Sequence, residues 1–338
     1  MSKKIKLTLL KLADLCGIFA LCRYWYRYHL RVLCYHGFAY TDEHQFRPKL
    51  FMTPQTFVAR LNYLANSRYR IVSLSEGIAN PERPLQLALT MDDGWSGTAE
   101  LVGDALAQHK FPLMLYVTSY YADKQIPVLN VAVSYLLWKT SASALHLKVA
   151  GVADSIDASL PAPDTAALVR QICQLIDQLP DAAARADVLY QLADQLQVSL
   201  HQQGRPLFRL LDAAELRSLQ QANVELQLHT HRHCSPLDAD ALAAEINQNR
   251  DWLAQFTAPS QLVHFCYPSG EYQPAHLPLL QQNGVLTATT THIGLHKPGS
   301  DLLQIRRILD GEDVHWLELE AELSGFSDLV RRVLGVAN

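Results

Sequence analysis

The segment Leu85 to Trp95, LQLALTMDDGW, limits the possible fold more than any other stretch of the chain. An apolar run containing Leu85, Leu87 and Leu89 ends in two adjacent carboxylates, Asp92 and Asp93, followed by Gly94, where the backbone can turn freely. Such a run reads as a strand buried on both faces, and its charged end belongs at the rim of a sheet or barrel. Adjacent strand residues point to opposite sides, so both acids can serve one spot only if the strand ends and bends there. Carboxylates this close repel one another, and a bound cation is the usual remedy. A solvated strand end explains the pair alone equally well, so partners elsewhere must decide.

The 338 residues suit a single α/β barrel of about 250 residues with additions, and 49% hydrophobic content can fill its core. Net charge is -4, and no basic face occurs beyond the first few dozen residues, which argues against nucleic acid as a partner. The six cysteines, Cys16, Cys22, Cys34, Cys173, Cys234 and Cys266, form no CxxC pair and read as free thiols. A reducing, cytoplasmic location with membrane association is therefore expected.

The membrane part of that expectation comes from residues 1–30. Lys3, Lys4 and Lys6 precede Leu7 to Cys22, which Lys11 and Asp14 interrupt, and RYWYRYHLR follows. The run is too short and too charged to span a bilayer. It reads as an amphipathic helix that either lies on an anionic membrane surface or packs on its own domain.

Along the rest of the chain, strands and helices alternate. RVLCY (31–35) is a strand ending in His36, and Thr53-Pro54 starts a helix carrying Phe57, Leu61 and Leu64. Residues 98–109 read as a helix and 113–118 as a buried strand, completing a first part over 31–122. Between 123 and 206 only helical periodicity is evident, with Leu168, Ile172, Leu175 and Ile176 before Pro180 and Val188, Leu189, Leu192 and Leu196 after it. This is a helical insertion that either forms a lid or decorates the fold.

Alternation resumes over 207–338. A capping box at Asp212 to Glu215 precedes a helix, and strands at 224–228, 262–267, 285–290 and 302–308 are separated by helices at 238–256 and 274–283, with a closing helix at 316–334. About seven strand-helix units predict a distorted (β/α) barrel with the helical insertion.

Val224 to Leu228 runs into HTHRHCSP. His229 and His233, four residues apart, can meet one cation if the backbone between them makes a helical turn. With a carboxylate of the Asp92-Asp93 pair they leave an open fourth position, as a hydrolytic metal centre does. The ligand types favour one divalent metal, Zn²⁺ first, with Co²⁺ or Ni²⁺ acceptable. Neither cysteine nor further acids are expected to crowd it.

TMDDG, HTHRH and FCYPSGEY, in that order and at strand ends, resemble the first three motifs of the polysaccharide deacetylases, the NodB-homology carbohydrate esterases of family 4. The resemblance covers about residues 31 to 310 without the insertion. It implies a distorted barrel and metal-dependent removal of acetyl groups from an N-acetylated glycan or lipid-linked sugar precursor, in the context of exopolysaccharide biosynthesis. It further implies Asp92 as general base, Asp93, His229 and His233 as metal ligands, and Thr230 as the residue holding the ligand loop. The Ser269 backbone N–H would bind the oxyanion, and Tyr272 would line the groove.

The chain departs from that pattern twice. Cys266 or Tyr267 stands where the family carries an Arg that tethers the base, and no Leu-x-His follows residue 290. A barrel brings its first and last strands together, so His36 is expected as general acid, as in a circularly permuted subgroup that the YHG and YPSG motifs resemble; His296 is the fallback. Arg306 or Arg307 is the candidate replacement tether, against the reading of an ordinary surface arginine. Tyr35, Trp95 and Tyr272 either stack on sugar faces or pack the rim. Two other functions compete: a metal-dependent hydrolase of a non-sugar amide, and a catalytically silent glycan-binding protein suggested by the two departures.

Overall fold

In a computed structural model, which describes residues 2–335, seven parallel strands close into a ring. They are β1 Arg31–Tyr35, β2 Gln86–Met91, β3 Leu113–Val117, β4 Val224–Leu228, β5 His264–Cys266, β6 Thr287–Ile293 and β7 Ile305–Leu309. Each pairs with the next in sequence, and β1 closes the ring, pairing with β2 through Leu33 and Leu89 and with β7 through Leu33 and Ile308. A short strand, Arg70–Val72, shares one edge of β2 with β3: it pairs with Gln86 to Ala88, and β3 pairs with Leu89 to Met91. This is the expected distorted (β/α) barrel.

The side-chain period of two decides what the barrel encloses. Leu33, Leu87, Leu89, Leu115 and Leu226 pack outward beneath the helices. Val32, Ala88, Met114, Tyr116, Cys266 and Ile305 form a separate inner cluster. Continued upward, the inner parity delivers Cys34 on β1, Asp92 just past β2, His229 just past β4 and Arg307 on β7 to the carboxyl-terminal mouth. The covering helices start where local chemistry caps them: Thr53 Oγ1 accepts the Thr56 N–H ahead of helix Pro54–Ala65, and Asp212 with Glu215 forms the expected capping box.

The insertion holds helices Leu129–Lys139, Thr165–Asp177 and Ala182–Gln195, and its Leu168, Ile172, Leu189 and Leu192 join the main apolar cluster. It is not wholly helical, however. Ala144–Lys148 pairs antiparallel with Ser155–Ser159, and His201–Gln202 pairs with Arg205–Pro206. ALHLK buries Leu145 and Leu147 on alternate positions, a period-two signal too brief to stand out beside the long helical stretches.

Each terminus forms two helices where one was expected. The chain bends at Gly17 (φ 77°) between α1 Lys3–Leu15 and α2 Ile18–Trp25. The closing segment breaks at Gly325 between Trp316–Leu323 and Phe326–Val333, where any Cβ would lie 2.6 Å from the Tyr26 ring. Leu10, Ala13, Phe19, Leu317 and Ala321 form a satellite core between the two pairs, so α1 and α2 pack on the domain with one face.

Arg31 ties these termini to the floor of the barrel. Its buried guanidinium donates to the carbonyls of Leu323 (2.7 Å), His29 (2.7 Å) and Tyr26 (3.2 Å). Arg31→Met leaves those acceptors without their donor. The expected loss is about 3 kcal/mol of unfolding free energy, read from the denaturant midpoint, with turnover at the opposite end of the barrel retained.

Candidate active site

Asp92 and Asp93 are neighbours with different fates. Asp92 keeps the inner parity of β2 and is 3% exposed, whereas Asp93 adopts φ 69° and Gly94 φ 89°, so the chain turns over the rim within two residues. The expected bend at Gly94 thus begins one residue earlier.

Arg307 meets Asp92 in a two-pronged contact, Nη1 to Oδ1 and Nη2 to Oδ2, both 2.7 Å. Burial alone would push the Asp92 carboxyl up; the guanidinium and its hydrogen bonds outweigh this and hold it at about 2. Of the two candidate tethers, Arg307 is therefore the one that reaches the carboxylate, from the interior rather than the surface. Sequence did not separate it from Arg306, because Ile305, Ile308 and Leu309 place apolar residues on both faces of β7.

Two thiols also touch Asp92, contrary to the expectation that no cysteine crowds the site. Cys34 Sγ lies 3.5 Å and Cys266 Sγ 3.4 Å from Oδ2, and Arg307 Nη2 lies 3.2 Å from Cys266 Sγ. Burial pushes the Cys34 thiol well up, so it stays protonated and can donate. Both cysteines fall on inner positions of β1 and β5, a parity that is legible only once each strand's inward face is known.

Asp93 lies beside the two histidines. Its Oδ1 is 3.2 Å from Nε2 of both His229 and His233, while Trp95 Nε1 donates to Oδ2 at 2.8 Å. His229 Nδ1 faces the Cys266 carbonyl at 2.8 Å, an acceptor, so this nitrogen carries a proton and Nε2 is the atom turned to Asp93; against the cost of burial, Cys266 and the Asp93 carboxylate raise the ring's proton affinity well above its ordinary value, so Nε2 holds a proton there unless a cation replaces it. Lone pairs facing each other require a proton or a cation between them. Burial alone would raise the Asp93 carboxyl, but the histidine contacts hold it well down. One oxygen and two imidazole nitrogens, each of the first two oriented by an outer hydrogen bond, fit a divalent metal. The groups built around Asp92 fit less well, since Arg307 already occupies both of its oxygens.

The histidine loop is not the expected helical turn. Thr230 (φ 63°) and His233 (φ 59°) are both left-handed, which brings the rings to 4.8 Å at 78° without helical spacing. Thr230 Oγ1 accepts the Cys234 N–H at 3.1 Å and so holds the loop. Behind it, the His229 N–H donates to Asn249 Oδ1 (3.0 Å), and Asn249 Nδ2 donates to the Val117 carbonyl (2.9 Å) and to Ser119 Oγ (3.0 Å). Asn249 was missed. Its signal was a polar residue in the apolar stripe Leu242, Ile246, Leu253 of helix Ala239–Leu253.

A cavity of about 550 Å³ opens above these groups, and His36, Ser269, Val128 and Asn130 line it. His36 Nε2 lies 3.7 Å from Asp92 Oδ2, and its buried Nδ1 has no hydrogen-bond partner among the described residues. Burial lowers its proton affinity despite the two aspartates. Ser269 (φ 56°) is held at the wall by the approach of Gly270 to β6, where a Cβ would meet Thr291 Oγ1 at 2.1 Å.

Other expected residues lie elsewhere. His296 pairs with Leu30 at the start of β1, the end remote from His36, and cannot serve Asp92. Tyr35 is buried edge-on against Phe57, and Tyr272 stacks on Tyr267 at 4.9 Å and donates to Gln304. Trp95 is 4% exposed, packed edge-on against Phe51. Tyr35 and Trp95 are thus buried, and Trp95, at the cavity wall, orients Asp93; Tyr272 is half-buried with one face on Tyr267 and is not among the residues that line the cavity.

A family model described as polysaccharide deacetylase matches residues 79–288, from just before β2 into β6. A search of curated proteins finds no match. Among solved structures, the chain resembles the Streptococcus pyogenes deacetylase PplD in complex with acetate at 15% identity (TM-score 0.56, 88% of this chain, 99% of that one). It also resembles IcaB from Ammonifex degensii at 16% identity (0.54, 88% and 97%) and a de-N-acetylase from Aggregatibacter actinomycetemcomitans at 13% (0.53, 86% and 98%). These likenesses show a shared fold.

Arg307→Gln removes the group that holds Asp92 down, leaving burial to raise its carboxyl. Asp92 stabilises the fold above the ordinary carboxylate range, and that contribution is lost as pH falls toward about 2. In the variant the acid limb of activity should move up by at least about one pH unit. Wild-type and variant limbs that coincide would show that the pair does not set the base.

Proposed function

The chain belongs to the polysaccharide deacetylase family, and on that premise we propose how its residues remove N-acetyl groups from a glycan. The observation that carries the reading is the side-by-side placement of a carboxylate held ionised by Arg307 and a three-ligand set, Asp93, His229 and His233, at the floor of one cavity. Asp93, His229 and His233 would hold one divalent metal, zinc first with cobalt or nickel acceptable to the same donors, and that ion would supply Lewis-acid polarisation of the acetamide carbonyl and a lowered pKa for its water.

Asp92, ionised at neutral pH, takes the proton of the attacking water. The thiols of Cys34 and Cys266 and the Arg307 guanidinium keep its oxygens in place. The Ser269 N–H, carried by the left-handed turn, is the proposed donor to the oxyanion. His36, 3.7 Å from Asp92, is the proposed donor to the leaving nitrogen as the C–N bond breaks, giving acetate and a free amine; because burial lowers its proton affinity, the imidazole takes up during the cycle the proton that it gives to nitrogen. Because Arg307 and His36 fill the two departures from the family pattern, neither favours a catalytically silent protein. A non-sugar amide has no feature of this cavity to support it.

We also propose that α1 and α2 rest on an anionic membrane surface on its cytoplasmic side. Ile5, Leu9, Leu12, Leu21 and Trp25 are each about half exposed, with Lys4 and Lys11 exposed among them. No helix among the described residues is long and apolar enough to cross a membrane. All six cysteines are free, which fits a reducing compartment.

With zinc-loaded protein, acetate release from N-acetylated oligosaccharides should fall by at least about a thousandfold in Asp92→Asn. His233→Ala should lose both the metal and the thermal stabilisation that added zinc gives the wild type. Full turnover in Asp92→Asn would overturn the assignment of the base. Wild type should float with vesicles containing anionic phospholipid, and a Leu9→Glu, Leu12→Glu variant should not, while both cleave soluble substrate equally; equal flotation would sink the membrane reading.

A further inference from the structure

We propose that the mouth of the catalytic cavity contains an anion-binding subsite centred on Arg47, and that the glycan substrate carries a phosphate or carboxylate near its N-acetyl group. This rests on the deacetylase reading above and narrows its substrate class.

The chain has more acids than bases, 33 against 29, yet its catalytic cavity has the opposite balance. Arg47, Lys49 and Arg232 line its upper wall, and the acids that line it are Asp92 and Asp93, both at the floor. Those two are committed, Asp92 to Arg307 and Asp93 to the histidines. An incoming glycan therefore meets positive charge first.

The three cations are not equivalent. Lys49 pairs with Asp313 at 3.0 Å and Arg232 with Glu245 at 2.8 Å, so both are already neutralised. Arg47 forms no ion pair with a carboxylate among the described residues. Its Nη2 donates to Ser134 Oγ at 3.2 Å, and its guanidinium lies 5.0 Å from the Phe46 ring centre. Ser134 Oγ is itself engaged with the Asn130 carbonyl at 2.6 Å. Burial works against the Arg47 charge, and no neighbour offsets it.

A guanidinium partly withdrawn from water, without a counter-charge and facing a substrate cavity, is suited to an oxyanion arriving with the ligand. Asn130 lies one helical turn before Ser134 on helix Leu129–Lys139 and also lines the cavity, so a neutral amide stands beside the cation. The chemistry fits a sugar phosphate of a lipid-linked precursor and an acidic sugar or phosphate substituent of a polymer alike.

The test is calorimetric binding to the zinc-loaded full chain, with N-acetylglucosamine 1-phosphate, an N-acetylated disaccharide containing a uronic acid, and the neutral N-acetylated disaccharide as probes. An anionic probe should bind the wild type at least about tenfold more tightly than the neutral one. Arg47→Gln should abolish that preference and leave the neutral sugar unchanged. Ser134→Asp, which supplies Arg47 with a partner from within the chain, should do the same without removing the arginine, so a folding failure of one variant does not decide the matter.

Preference for the phosphate alone would support a sugar-phosphate source, and preference for both acids a more general acidic glycan. Equal binding of charged and neutral probes, or a preference that survives both substitutions, would overturn the subsite. Acetate release is measured on the same samples. Its failure with every probe would count against the deacetylase mechanism, whereas an Arg47-dependent preference would still establish the subsite.

Discussion

The ion pair between Asp92 and Arg307 exists because the barrel is closed. Asp92 follows β2 and Arg307 lies on β7, and β1 runs between them, paired to both. Were the sheet open at that seam, the two charges would be far apart, each at an edge. Enclosed, they lie 2.7 Å apart at two points in an interior where either charge alone would be costly. Closure of the ring and ionisation of Asp92 are thus one event, and the cysteines, the cavity floor and His36 are arranged around it.

The same closure explains how two adjacent acids divide the chemistry. Asp92 follows the strand's inner parity and meets a guanidinium; Asp93, turned over the rim by its left-handed backbone, meets two imidazoles and the Trp95 indole. A cation beside Asp93 and an arginine beside Asp92 relieve the repulsion that a bare pair of carboxylates would suffer. One carboxylate is thereby held ionised by a guanidinium while the other joins a set of donors that could hold a metal.

The region matched by the family model ends before β7 and begins after β1, and the two unusual features of this chain lie outside it, on β7 and just past β1. Arg307 approaches Asp92 from the last strand, and His36 follows the first. Both reach the site across the seam, since neighbouring strands of a barrel deliver side chains to one mouth wherever they fall in sequence. The insertion adds a wall to that mouth without a separate core, because its apolar residues merge with those of the barrel.

Much of this was legible in the amino-acid order. The alternation of strand and helix, the TMDDG and HTHRH strand ends and the helical stretches of the insertion are local patterns, and local patterns carry strand period, helix period and turn chemistry. The placement of His36 beside Asp92 was reachable too, by the argument that first and last strands meet. The tertiary structure decided what depends on facing. Arg307 rather than Arg306, the inward thiols of Cys34 and Cys266, Asn249 behind His229 and the unpaired Arg47 all turn on which way a side chain points in an element buried on both faces. There hydrophobicity carries no parity, and only the closed barrel supplies it.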